Sequence, residues 1–415
     1  LAFLCAVLIA SFVPAAGRVR RPVWALIAAG GALLLVSALL SDQPLAAVFG
    51  RWPRYEGLVS LPVYAVAVWF GARLLGPDAG SVRRQHWYRA ASVLAIAIAC
   101  FALLEAWDMS PIASDLERSG SLLGNASDQG IVCAALAALL LPQLMQGVPL
   151  LGSPESKWAV AGVGASVLGV VLSASRGGLL ALTIGMVVSV LLAALALRRS
   201  SHAWRAVKMR SFVASASVLG LAALLTIFVP MARDRALGLS PLAAATVGDR
   251  ALIWGEAAAI LSGSPLVGVG PSGFADSAMR QHGSEWFATV APGTVLDSPH
   301  SWPLQAAMAG GWLLLLLALV LLVVVVVIGV STVIGSKPEP ATGGAIDRSN
   351  KDRELGYRTL VAGSLGALAA LAGGLATHFT APATGILAGV LIGIAQAGTT
   401  YAVVYGVIGR NVPAE

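Results

Sequence analysis

His300 sits in "DSPHSWPLQ", between Pro299 and Pro303 and directly ahead of the most apolar run in the chain. A histidine can take a proton near neutral pH, and it can equally anchor a span at a membrane surface. Asp297 is close enough in sequence to orient the ring. Arg176, in "SASRGG", opens another apolar run, with Gly177 and Gly178 behind it. A helix N-terminus with bare glycine amides attracts an anion, and the arginine adds a full charge. The alternative is an arginine snorkelling to the interface. Arg250, in "GDRALIWGEAAAILSGSP", reads as the start of an amphipathic helix with Asp249 as N-cap and Pro265 after its end. A cation there opposes the helix macrodipole. Either a bound anion or pairing with Asp249 would relieve the conflict. "GRWPRYEGL" places Arg51, Arg54 and Glu56 just before a span. Glu56 either pairs with Arg54 at the interface or holds it toward a ligand. His378, in "ATHFTAP", carries the same two readings as His300.

The elements that must position these residues are membrane helices. The 415-residue chain is 57% hydrophobic and 11% charged, where a soluble domain carries roughly 25% charged residues. Mean hydropathy is +0.83. Windows long enough to cross a bilayer recur along the whole length. Eleven spans are predicted, near 1–16, 22–40, 57–76, 89–107, 129–147, 157–174, 177–197, 211–230, 303–330, 359–377 and 384–408. The fold class expected is therefore all-α, a polytopic bundle of about 11–12 transmembrane helices. Its parts are residues 1–230 as the first eight spans, 231–302 as a long outer loop roofing the site, and 303–415 as the last spans with an inner loop at 331–358. That inner loop reads as a solvated, mobile connector without a site. The three cysteines form no CxxC pair, which gives neither a disulfide framework nor a metal site.

Orientation follows from the basic residues. Of the 27 lysines and arginines, nineteen fall in one set of loops and eight in the other, so the first set is cytoplasmic. This puts the C-terminus inside and Leu1 outside, and a preceding segment returning the terminus to the cytoplasm is expected. All four lysines are inside, and every basic residue outside is an arginine. Chance on a small sample accounts for this, or else the outer face handles phosphate, whose oxygens the planar guanidinium pairs two at a time. The outer loop 231–302 is far longer than ordinary connections, and such loops are usually functional. Within it, "PLVGVGPSGF" is a glycine-punctuated turn and "FADSAMRQHG" a second short helix. No HExxH, DxD, Walker loop or metal-spaced carboxylate pair lies outside. Neither a metal, nor a cofactor, nor a nucleic acid partner is expected. Missing mid-span charges lower a transporter or flippase reading.

"RWPRYEG", "GNASDQG", "SASRGG", "GDRALIWGEAAAILSGSPLVGVGPSGF" and "SPHSWPLQAAMAGG" occur in the order seen in the bacterial O-antigen ligase and polymerase superfamily. Their closest resemblance is to lipopolysaccharide O-antigen ligases, over nearly the whole chain and most strongly from Ser173 to Gly311. The resemblance implies a metal-independent glycosyltransferase of the Gram-negative inner membrane, with its site on the periplasmic face. Its donor would be a glycan on undecaprenyl pyrophosphate, and its acceptor a sugar hydroxyl of the lipid A–core oligosaccharide. Arg176 of the SRG motif and Arg250 match the family's essential arginines, and His300 matches its essential histidine; Arg176, Gly177 and Arg250 are then expected to hold the pyrophosphate, with His300 as base. Ser301 stands where parts of the superfamily carry asparagine, which leaves the hydrogen bonding of His300 open. An O-antigen polymerase and a protein O-oligosaccharyltransferase share the pattern. Members of the latter group usually carry a further periplasmic domain.

Overall fold

The computed structural model describes residues 2–51, 56–110, 112, 120–146, 153–198, 204–239, 241–289, 296–335 and 345–399. In chain order the helices are α1 (Ala2–Phe12), α2 (Arg21–Leu40), α3 (Pro44–Phe49), α4 (Leu61–Leu75), α5 (Ser81–Ala106), α6 (Ala126–Met145), α7 (Pro154–Leu172) and α8 (Arg176–Arg198). They continue with α9 (Trp204–Phe228), α10 (Pro230–Ala236), α11 (Pro241–Gly263), α12 (Phe274–Met279), α13 (Ser284–Thr289), α14 (Trp302–Ile334), α15 (Ala345–Leu375) and α16 (Pro382–Ala395). The only strands among the described residues are Arg18–Val19 and Ala397–Gly398, paired antiparallel. The molecule is an all-α polytopic membrane bundle.

Eight of these helices are long and apolar enough to cross a membrane. A ninth is added if α9 and α10, bent by 103° at their break, count as one span. The expected number was eleven. The first expected span holds α1, 11 residues long; the last holds α16, 14 residues, and its residues 400–408 lie outside those described. Proline explains the bend. Pro230 lacks an amide proton and cannot continue α9, so the chain turns there and restarts as α10. The inner connector also differs from expectation, since α15 starts at Ala345, inside the segment read as a loop.

α6 is the centre of the bundle. Its apolar window is 89% buried inside the protein, against 11% for α14, which presents most of its surface outward. α8 and α15 pack against α6 and against each other. Lipid gives apolar side chains little reason to cluster, so such helices associate through close backbone approach. At one crossing, a Cβ added to Gly178 would sit 2.9 Å from the Gly130 Cα. The small residues of "SRGG" thus serve helix packing first.

α14 is broken where its sequence reads "GG". Gly310 and Gly311 leave helical geometry, with Gly311 at φ 70° and ψ −173°. That region is open essentially to glycine alone. Elsewhere a break would strand backbone polar groups in an apolar medium. Here the glycine-punctuated loop after α11 takes them up. The Val269 amide donates to the Met308 carbonyl at 2.8 Å, and the Trp312 amide to the Pro265 carbonyl at 2.9 Å. The Ser37 hydroxyl on α2 lies 2.5 Å from the Val267 carbonyl and 2.7 Å from that of Ala309. A Cβ on Gly311 would meet the Leu266 carbonyl oxygen at 2.1 Å. Gly311→Ala is therefore expected to cost more than the roughly 1–3 kcal/mol of backbone strain alone, read as a lowered melting temperature in detergent.

The helices between α9 and α14 have a small core of their own. Ile253, Ile260 and Leu261 of α11 gather with Phe274, Trp286 and Leu296 against Ala307 and Met308 of α14. This packing seats α11, α12 and α13 over the first segment of α14.

Candidate active site

α8 begins at Arg176, after a three-residue turn in which Ala174 takes a positive φ of 47°. The Ser175 hydroxyl accepts from the Gly178 amide at 3.1 Å, so one of the two glycine amides expected to face an anion is already capped. The side chain of Arg176 carries the charge outward instead. Its Nε donates to the Arg235 carbonyl on α10 at 2.6 Å. The bend at Pro230 is what brings α10 there. The third arginine is Arg250. The sequence placed it at a helix start, capped by Asp249. α11 in fact begins at Pro241, so Asp249 is not an N-cap and the macrodipole conflict disappears. The alanine-rich "PLAAATV" extends the helix backward, since proline is tolerated in a first turn.

Arg250 is more than half buried, and its pKa is pushed below the ordinary arginine value. Burial is the main cause, followed by repulsion from Arg176 and then Arg235. Among the described residues no carboxylate forms an ion pair with Arg176 or Arg250. Three arginines from α8, α10 and α11 therefore lie close enough to repel one another, and an anion between them would offset that repulsion. Arg235 was not singled out in the sequence. Its position depends on the bend after α9.

His300 stands just before α14, with a positive φ of 47°. Ser298 Oγ accepts from its amide at 3.3 Å. Ser301 is the N-cap residue of α14, and Pro303 sits in the first turn, where its missing amide proton does no harm. The prolines fix the end of the helix as the sequence suggested. The ring of His300 lies 6.1 Å from that of His378 and 5.3 Å from that of Phe379, centroid to centroid. His378 is buried, and its Nε2 lies 3.4 Å from Asp128 Oδ1 in the first turn of α6. A buried carboxylate and imidazole thus meet at the end of the most enclosed helix, beside His300. Asp128 lies in the "GNASDQG" motif but escaped notice as an ordinary first-turn acid, the kind that favours any helix N-terminus.

The arginines and histidines are linked through two contacts. One turn beyond Arg250, Trp254 Nε1 donates to the Pro299 carbonyl at 3.0 Å. On the other side, the Cβ position of Gly177 lies 3.9 Å from both Thr377 Oγ1 and the Gly374 carbonyl, directly before His378. So α11 and α8 bracket the histidines.

A cavity of about 310 Å³ opens beside them, lined in part by Arg51, Glu56, Tyr64, Asp297, Gln305 and Thr380. Glu56 is not alone there. Gln305 Nε2 donates to its Oε2 at 3.1 Å, and the Ser272 hydroxyl donates to its backbone carbonyl at 3.0 Å. Arg51 pairs with Asp276 of α12 at 2.6 Å. Arg54 lies outside the described residues. Below the cavity, sharing Leu34, Leu61, Tyr64 and Gly385 with it, an apolar crevice of about 420 Å³ runs between α2, α4, α14 and α16. Among the described residues no three His, Cys, Asp or Glu side chains converge as a metal site would need.

No curated protein matches the chain. Residues 161–319 match the family model described as O-antigen ligase. The matched stretch runs from α7 to the middle of α14 and contains Arg176, Arg235, Arg250 and His300. That match, together with the polytopic helical fold, supports membership of the O-antigen ligase superfamily.

Proposed function

We propose that this protein is an O-antigen ligase. It transfers a glycan from undecaprenyl pyrophosphate to a sugar hydroxyl of the lipid A–core oligosaccharide, on the periplasmic face of the inner membrane. The observation that carries the reading is the gathering of Arg176, Arg235 and Arg250 beside His300. The acceptor oxygen attacks the anomeric carbon of the donor, and the bond from that carbon to the phosphate oxygen breaks. The bonding pair stays on the pyrophosphate, where the guanidinium groups meet the growing negative charge. The acceptor proton passes to a ring nitrogen of His300. Attack opposite the leaving group inverts the anomeric carbon. A pyrophosphate leaves without needing a proton, so the reaction calls for a base and no general acid. Guanidinium groups carry the leaving-group charge in place of a metal ion, and a chelator is expected to leave the rate unchanged.

The deciding experiment combines purified protein in detergent with the lipid-linked donor and lipid A–core. Core-linked glycan is the expected product. A longer lipid-linked glycan, formed with no core-linked product, would make the protein a polymerase instead. No transfer to either acceptor would end the enzymatic reading.

In this mechanism Asp128 and His378 hold the base in place, and neither touches substrate. Asp128→Asn keeps the shape and removes the charge facing His378. Transfer is expected to fall, by less than the roughly 10²–10⁴-fold that a general base contributes. Donor KM should stay constant and the pH–rate profile should shift, with partial rescue by Asp128→Glu. A purely structural role would lower the amount of folded protein and leave the profile of the remainder as in wild type.

A further inference from the structure

We infer that the cavity around Glu56 and Gln305 is the subsite for the acceptor: it takes a hydroxyl-rich, uncharged sugar ring. The inference rests on the transfer reading above and adds where the second substrate lies. Three observations carry it.

The cavity lies against the candidate base. Asp297, Ser298 and Pro299 line it, and His300 follows them directly. Thr380 lines it too, two residues after His378. A hydroxyl held there is next to the group that must take its proton. Arg176, Arg235 and Arg250, in contrast, are not part of this wall.

Its lining suits a sugar better than a pyrophosphate. The charged side chains on the wall are Arg51, Glu56 and Asp297, and Arg51 is already matched by Asp276. Carboxylate and amide oxygens on the wall welcome hydroxyl donors, and none of Arg176, Arg235 and Arg250 stands there to hold a pyrophosphate. The in-line reaction needs such a division, with the leaving group on the cationic side and the nucleophile on the other.

The polar groups are held ready. Gln305 donates through Nε2 to Glu56 Oε2, and its Oε1 accepts from the Thr380 amide at 3.2 Å. Both ends of the amide are used, so its orientation is fixed. Gln305 lies in the first turn of α14, its own amide donating to the Ser301 carbonyl at 2.8 Å. The Glu56 carboxylate is thereby tied to the same helical turn as the base. A pre-set acceptor at that place can orient a sugar hydroxyl without reorganisation. Tyr64 adds an aromatic surface on the apolar side.

The test measures initial rates with purified protein, undecaprenyl-pyrophosphate-linked glycan and lipid A–core, each varied in turn, together with hydrolysis of the donor when no acceptor is present. Glu56→Gln is expected to raise the acceptor KM about tenfold or more, leaving donor KM and donor hydrolysis as in wild type. Ala275→Leu fills the same cavity from α12 without touching the polar network, and should act alike. It covers the case in which Glu56→Gln lowers the melting temperature. A rise in donor KM for either variant would assign the cavity, and the crevice below it, to the donor and overturn the proposal. An unchanged acceptor KM in both folded variants would also overturn it. Absence of transfer by the wild-type protein takes down the transfer reading first, and this one with it.

Discussion

His300→Gln should reduce glycan transfer by about 10²–10⁴-fold, the usual worth of a general base, and leave the protein folded. Glutamine retains polarity and reach, so an interface anchor would survive the change and a base would not. The ring is not buried in the bundle core. It sits ahead of α14, whose N-cap is Ser301, so the helix end does not use the histidine as its cap. Wild-type transfer is expected to fall in acid as the ring becomes protonated. The residual activity of His300→Gln should lack that acid limb. A variant with normal rate and an unchanged pH profile would end the base assignment, whatever the fate of the arginines. Measuring kcat and both KM values separates the roles: loss of the base lowers kcat, and loss of a binding group raises KM.

Arg250→Ala should cost about 10²–10³-fold in kcat, the usual price of removing one fixed donor from a charge-stabilising site. Arg176→Lys should also fail, because the planar fork pairs with two phosphate oxygens and an ammonium does not. Stability should move the other way. Burial and the charges of Arg176 and Arg235 lower the pKa of Arg250. For a cationic group, a depressed folded pKa means that the charged form opposes folding. That cost is present at every pH below the folded value, and so throughout the working range. Removing the charge relieves it. The empty Arg250→Ala protein should melt no lower than wild type, provided its cavity is small. Inorganic pyrophosphate should raise the melting temperature of wild type, by the mass action of a ligand that binds only the folded state. It should do so much less for the variant. A pyrophosphate-induced rise of equal size in both would remove Arg250 from the phosphate site.

The recurring apolar windows made the all-α membrane bundle legible, and single residues within it less so. Arg176 and His300 stood out because each lies at the edge of an apolar run, and Arg250 because it was read at a helix start where a cation is unfavourable. Asp128 did not stand out, since an acid in a first turn suits any helix; only the enclosure of α6 and the nearness of His378 give it meaning. Arg235 depends on the 103° turn at Pro230, and a proline tells where a helix stops but not where the chain goes next. Gln305 looked like a polar residue at a span entrance. Its use is set by Glu56 and Thr380, which lie far away in the chain. The start of α11 was misjudged because Asp249 made a plausible cap inside a stretch that helix formers carry back to Pro241.

The break in α14 separates two demands that a continuous helix would couple. Residues 302–309 are hydrogen-bonded to the loop after α11 and to α2. Residues 312–334 form the lipid-facing shaft, rising about 1.5 Å per residue. In an unbroken helix, one residue inserted into the shaft would swing everything above it by about 100°. Here the head is held from the side. An adjustment of the shaft to the thickness of the surrounding bilayer would meet the break at Gly310 and Gly311 before it reached His300 and Gln305.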